Sequence, residues 1–298
     1  MNRLRTPLSG IDGADRGAIP VPVIDAHFHV WQLARGDYGW LDASLAPIYR
    51  DITAADWREQ AQPCGVDAGV LVQAAPTEAE TRFLLDQARD APDVLGVVGW
   101  VDLLATDAAH RIRALAAAPK LVGLRPMLQD LPDPDWILQE RLAPGLEAMQ
   151  AVGLTFDALI KPVHVPRIIT LAARYPALRI VVDHGAKPAI AAGQWDDWAA
   201  AMRDLSGLPQ VFCKLSGLWT EAASGAPAAV VQPYMRHLLV CFGPQRLLWG
   251  SDWPVLELAG DYQSWHAAAC SAVPPAQRAQ VFGATALSAY RIEFPPPG

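Results

Sequence analysis

Val21-Pro22-Val23-Ile24-Asp25-Ala26-His27-Phe28-His29-Val30 is followed by an aromatic-bearing loop (36–47), an amphipathic stretch (54–62) and a second apolar run (68–74). Apolar run, helix-period segment and apolar run make the pattern of a parallel strand–helix–strand unit. It continues outward along the chain. Further runs lie at 94–101, 121–128, 154–160, 178–184, 210–215 and 246–251. Between them, 78–89, 108–118, 135–151, 165–175, 194–205 and 230–242 carry apolar residues at three- and four-residue spacing. The stretches 69–73, 94–98 and 179–182 are apolar nearly throughout, as parallel strands covered on both faces must be. Thr53 with Asp56, Thr77 with Glu80, and Asp107 mark helix starts; Gly65, Gly153 and Gly243 mark stops. Eight such runs, each followed by a helix, predict an α/β protein with a single (β/α)8 TIM barrel. Residues 1–20 then form an N-terminal extension and 21–298 the barrel.

Composition agrees. A chain of 298 residues, 52% hydrophobic and 18% charged, buries a large core without staples. Its net charge of −7, with no basic run, argues against nucleic acid or an anionic membrane as a partner. Cys64, Cys213, Cys241 and Cys270 form no Cys-x-x-Cys pair, which suits a reducing compartment. The first twenty residues carry Arg3, Arg5, Asp12, Asp15 and Arg16 without the apolar core of a signal peptide. No apolar stretch approaches the roughly 20 residues that span a bilayer. The expectation is a soluble, cytoplasmic protein, with self-association left open.

The candidate chemistry sits at the run ends. Strand alternation puts Asp25, His27 and His29 on one face, inward in a barrel. Two imidazoles about 6–7 Å apart along a strand close on one cation or grip one oxyanion. His184 ends the sixth run before Gly185, and Asp252 ends the eighth before Trp253-Pro254. Arg125, Lys214 and His164 end or interrupt apolar runs, where a charge is costly unless it is paired or serves a ligand. Trp31, Trp40, Trp219 and Trp253 fall in loops or at strand ends that face a pocket or pack the rim. Hydrogen-bonded core histidines and structural ion pairs are the plainer alternatives. Gly-x-Gly-x-x-Gly, Gly-x-x-x-x-Gly-Lys-[Ser/Thr], His-Glu-x-x-His and Gly-x-Ser-x-Gly are absent, which disfavours nucleotide cofactors, zincin chemistry and a serine-hydrolase elbow.

At these residues the chain resembles the amidohydrolase superfamily, whose barrels carry His-x-His on strand 1, histidines on strands 5 and 6, and an aspartate on strand 8. It is most similar to the amidohydrolase-related (amidohydrolase 2) branch of L-fuconolactonase-like sugar lactonases. The blocks that carry the resemblance include Ile24-Asp25-Ala26-His27-Phe28-His29-Val30-Trp31, Val98-Gly99-Trp100-Val101-Asp102-Leu103 and Gly123-Leu124-Arg125 with Leu128-Gln129-Asp130. Asp183-His184 with Lys187-Pro188, Cys213-Lys214-Leu215-Ser216-Gly217-Leu218 and Gly250-Ser251-Asp252-Trp253-Pro254 complete the set. Pro126-Met127 departs from it, standing where the branch often has a histidine-containing pair. Gly185-Ala186 is a smaller change, and strand 4 offers no lysine to bridge two metals.

The resemblance implies hydrolysis of a sugar-acid lactone. Asp252 would be general base, with His184 beside it as a catalytic group. His27, His29, His184 and Asp252 would hold one divalent ion, zinc by preference, or the histidines would polarise the carbonyl without a metal. Arg125, Lys214, Gln129, Trp31, His164 and Trp253 would contact substrate. An aldono- or aldarolactone isomerase is the next reading, then a metal-dependent decarboxylase, then an inactive sugar-acid binding protein.

Overall fold

The computed structural model describes residues 21–294; the N-terminal extension lies outside the described residues. Strands β1 (Ile24–Phe28), β2 (Ala68–Val72), β3 (Val94–Gly99), β4 (Leu121–Leu124), β5 (Thr155–Ala158), β6 (Ile180–Val182), β7 (Val211–Leu215) and β8 (Leu247–Trp249) form one sheet in that order. Every neighbouring pair is parallel. Closure is made just past β8: Asp252 N donates to His27 O, and His29 N donates to Trp253 O, both at 2.8 Å. Each of the eight expected runs contains a strand. The fold is a single (β/α)8 barrel.

The helices that follow the strands are α1 (Ala54–Ala61), α2 (Glu78–Asp90), α3 (Ala108–Leu115), α4 (Ala143–Val152), α5 (Val165–Arg174), α6 (Asp196–Ser206), α7 (Gln232–Phe242) and α8 (Tyr262–Ala272). Thr53 and Asp56 form a reciprocal capping box, and Thr77 accepts from Glu80 N. Asp107 makes no cap; its carboxylate takes the Arg111 guanidinium instead. The segment 135–151 is not one helix. Gln139 is extended, splitting its first half into two short 3-10 turns, and α4 proper starts with Pro144 in its first turn, where the missing N–H costs nothing. No helix of the described residues is long and apolar enough to cross a membrane.

Two features of the barrel set up the site. The first is the floor: after the short α9 (Pro275–Ala279), helix α10 (Thr285–Tyr290) sends Ala286, Ala289 and Tyr290 into the interior core with Ile24, Val181 and Leu248. The second is a bulge in β1, where Asp25 to Phe28 spans the partners Gly69 to Leu71, one residue fewer. An extra residue reverses the alternation. Ile24 and Ala26 therefore face the core, yet His27 and His29 also face inward. Asp25 does not share their face, contrary to expectation. It turns outward and accepts hydrogen bonds from Trp57 Nε1, Tyr262 Oη and Ser251 Oγ at 2.9, 2.9 and 2.6 Å. Asp25 thereby ties β1 to α1, α8 and the strand-8 end.

Candidate active site

Above the apolar interior lies a layer of buried charge. The Lys214 ammonium is 2.6 Å from Asp157 Oδ2, 2.9 Å from Asp183 Oδ1 and 3.1 Å from His27 Nδ1. Two carboxylates accept from it, and His27 Nδ1 stands beside it. Asp183 Oδ2 also accepts from Arg125 Nη1 at 3.2 Å, and Tyr290 Oη donates to Asp157 at 2.7 Å. Two carboxylates and two cations thus neutralise one another where unpaired charge would be prohibitive. Burial pushes the Asp157 carboxyl up to about 6, against the pull of Lys214. For Asp183 burial acts the same way but is outweighed by Lys214, His27 and Arg125, which hold it well below the usual range.

The top layer bears on one point. His27 Nε2, His29 Nε2 and His184 Nε2 lie 3.5, 3.4 and 3.7 Å from Asp252 Oδ1, and the first two are 3.2 Å apart. His29 Nδ1 is 2.8 Å from Val72 O, an acceptor only, so Nδ1 carries the proton and Nε2 presents its lone pair. His184 Nδ1 pairs with Ser216 Oγ at 2.9 Å. Burial lowers His184 to about 4, and burial with Lys214 holds His27 well below the usual imidazole range. Burial would raise Asp252, but His184, His29 and His27 overcome it and keep the carboxyl below the ordinary range. At neutral pH the cluster therefore holds uncharged His27 and His184 around an ionised carboxylate.

Backbone strain aims these groups. His184, Ala186 and Lys187 have φ of 54°, 60° and 49°, and Asp252 has φ of 60°. Left-handed conformations cost a non-glycine residue about 1–2 kcal/mol each, and such strain collects at functional sites. Room for the rings requires glycine twice. A Cβ on Gly217 would lie 2.3 Å from His184 Nδ1, and one on Gly250 would lie 2.7 Å from His27 Cβ.

The cluster forms the base of a cavity of about 270 Å³, with Arg125, Gln129 and Lys187 on its walls. Arg125 and Gln73 clamp each other: Gln73 Nε2 donates to Arg125 O at 2.8 Å, and Arg125 Nη2 donates to Gln73 O. Arg125 Nε and Gln129 Oε1 have no protein partner among the described residues.

Four expected substrate contacts do not reach this cavity. Lys214 is fully buried between Asp157 and Asp183. Trp31 lies behind His29, ring centroids 6.3 Å apart, its Nε1 donating to Arg50 O; Trp40 lines the cavity in its stead. Trp253 gives its Nε1 to Glu257 and its carbonyl to barrel closure. His164 caps its own turn, accepting from Lys161 N at 3.1 Å.

Glu80, read only as part of a helix start, is wholly buried, and its carboxyl accepts from Ala74 N and Ala75 N. It fixes the loop whose Ala74 carbonyl holds Trp40 Nε1 at 2.7 Å. Burial raises its carboxyl to about 7. A raised folded-state pKa gives stability that is full below the unfolded value and lost as pH climbs through the folded one. Glu80→Gln removes this dependence. Between about pH 4 and about pH 8, chemical denaturation should show the wild type losing roughly 3 kcal/mol relative to the variant.

The donor set suits one divalent cation. Zinc bonds of about 2.0–2.1 Å in tetrahedral geometry place ligand atoms roughly 3.3 Å apart. The spacings of 3.2, 3.4 and 3.5 Å among His27, His29 and Asp252 match, and His184 Nε2 lies 3.7 Å from Asp252 Oδ1. His27, His29 and Asp252, all buried, have ligand atoms within 4.8 Å of one another, as do His27, Asp183 and His184.

Fold and site together define a (β/α)8-barrel enzyme with a histidine–carboxylate centre at the carboxyl ends of its strands. The chain belongs to the amidohydrolase family, whose model matches residues 24–292. It is 49% identical over 279 residues to an L-fucono-1,5-lactonase of Burkholderia ambifaria, covering 91% of this chain and 96% of that one. A Burkholderia multivorans protein of the same name is 36% identical over 294 residues, covering 91% and 97%. Among solved structures, an amidohydrolase of Burkholderia multivorans with bound zinc is similar at 35% identity and a TM-score of 0.84, covering 91% of this chain and all of that one.

Proposed function

We propose that this protein is a lactonase that opens a sugar-acid lactone of the L-fucono-1,5-lactone type by delivering water to the acyl carbon. The observation that carries this reading is the convergence of three imidazole Nε2 atoms on Asp252 Oδ1 at the base of a small cavity. Two similar proteins named L-fucono-1,5-lactonase support the substrate class.

Asp252 is ionised at working pH and takes the proton from the attacking water, as a general base. The Arg125 guanidinium, held by Asp183 and the Gln73 carbonyl, supplies positive charge beside the developing oxyanion, with uncharged His184 next to it. Arg125 and Gln129, which line the cavity, supply polar groups for the lactone hydroxyls. His27, His29, His184 and Asp252 would hold one zinc ion, which when bound polarises the carbonyl and acidifies water. Elemental analysis should find one zinc per chain, and His29→Ala should lose it. The unpaired cysteines fit a reducing compartment such as the cytoplasm.

A panel of aldono-1,4- and 1,5-lactones and aldarolactones, followed with a pH indicator, tests the reading. Acid release from one stereochemical series is expected. No release from any of them by folded protein overturns it.

A further inference from the structure

Beside the catalytic cavity lies a larger one, about 420 Å³ against about 270 Å³. Trp40, Met127 and Asp130 line both, so the two adjoin at these residues. Four of the eleven tryptophans keep partial exposure, Trp40, Trp100, Trp136 and Trp195, and three of the four line this second cavity. Its walls are fixed. Trp40 Nε1 is held by Ala74 O, while Thr81 Oγ1 accepts from Trp100 N at 2.7 Å and donates to Trp100 O at 2.8 Å. Pro126 and Met127, the pair that departs from the family pattern, stand in the wall and offer no charged or hydrogen-bond-donating side chain. Among the described residues, Asp37, Asp102 and Asp130 supply the charges on the lining, all negative.

A rigid apolar concavity of this size, walled by indoles and opening beside a reacting centre, has the character of a ligand site. Three indoles and a thioether favour an aromatic ring. Asp37 is paired with Arg35 at 2.7 Å, and the Asp102 and Asp130 carboxylates disfavour an anionic one. Resting on the lactonase reading, we propose that this cavity is a substituent subsite that takes an uncharged aryl group carried by the lactone, seated against Trp100 and Trp136 while the ring carbonyl occupies the catalytic cavity.

Benzyl and methyl ethers of one aldono-1,5-lactone test this as paired substrates. The benzyl ether should exceed the methyl ether in kcat/KM by on the order of tenfold. Trp100→Ala should abolish the difference and leave the methyl ether unchanged. Equal values in the wild type, or a preference that survives Trp100→Ala, overturn the proposal. A second readout needs no turnover: crystals of the full chain soaked in para-bromobenzyl alcohol locate the ring by bromine anomalous scattering. Bromine among Trp40, Trp100 and Trp136 is the expected result; bromine elsewhere, or none, overturns it. Should neither ether be opened, the lactonase reading fails while the bromine position still decides the subsite.

Discussion

Asp252→Asn should lower kcat by about 10²–10⁴-fold while the protein still binds lactone. Asparagine keeps the shape of the side chain but cannot take a proton from water. The backbone N–H of Asp252, which donates to His27 O in barrel closure, is untouched, so the melting temperature should change little. Calorimetric titration with a slow substrate or the product acid separates binding from turnover. A variant that turns over at the wild-type rate removes Asp252 as the base. A variant that loses binding and turnover together makes it a ligand-holding group instead.

Lys214→Met should be destabilising by about 3–5 kcal/mol, the cost of leaving one partner of a buried ion pair uncompensated. Methionine fills similar space, but Asp157 and Asp183 would then share the Arg125 charge alone. Adding Asp157→Asn restores neutrality and should recover much of the loss, a coupling visible in a double-mutant cycle by urea denaturation. A lysine that served mainly as a substrate contact would give the opposite pattern: a raised KM, near-wild-type stability and no rescue. That outcome would contradict the place of Lys214 beneath the site.

The barrel was legible because its signals are local. Apolar runs of strand length, helical spacing between them and the Thr53 and Thr77 caps all act within a few residues of chain. His27, His29, His184 and Asp252 were legible because each stands at the carboxyl end of such a run. Asp25 was misplaced because a bulge of one residue reverses every later side chain, and nothing in Asp25-Ala26-His27 announces it. Lys214 and Arg125 were flagged by the cost of burying charge. The same reasoning applies to Asp157 within its apolar run and to Asp183 before His184, the partners that sequence reading passed over. Trp31, Trp253 and His164 do not line the cavity, because loop position does not say which way a large ring turns. Trp40, one of three residues that line both cavities, gives its indole N–H to Ala74 O, whereas Trp31 gives its own to Arg50 O.

The most direct measurement follows L-fucono-1,5-lactone by NMR and mass spectrometry in water enriched in heavy oxygen, with and without the protein. The account predicts protein-dependent formation of the free acid, faster than the spontaneous rate, with one heavy oxygen in its carboxylate. Protein-dependent conversion to a lactone of different ring size, with no free acid and no heavy oxygen incorporated, would contradict it and make the protein an isomerase.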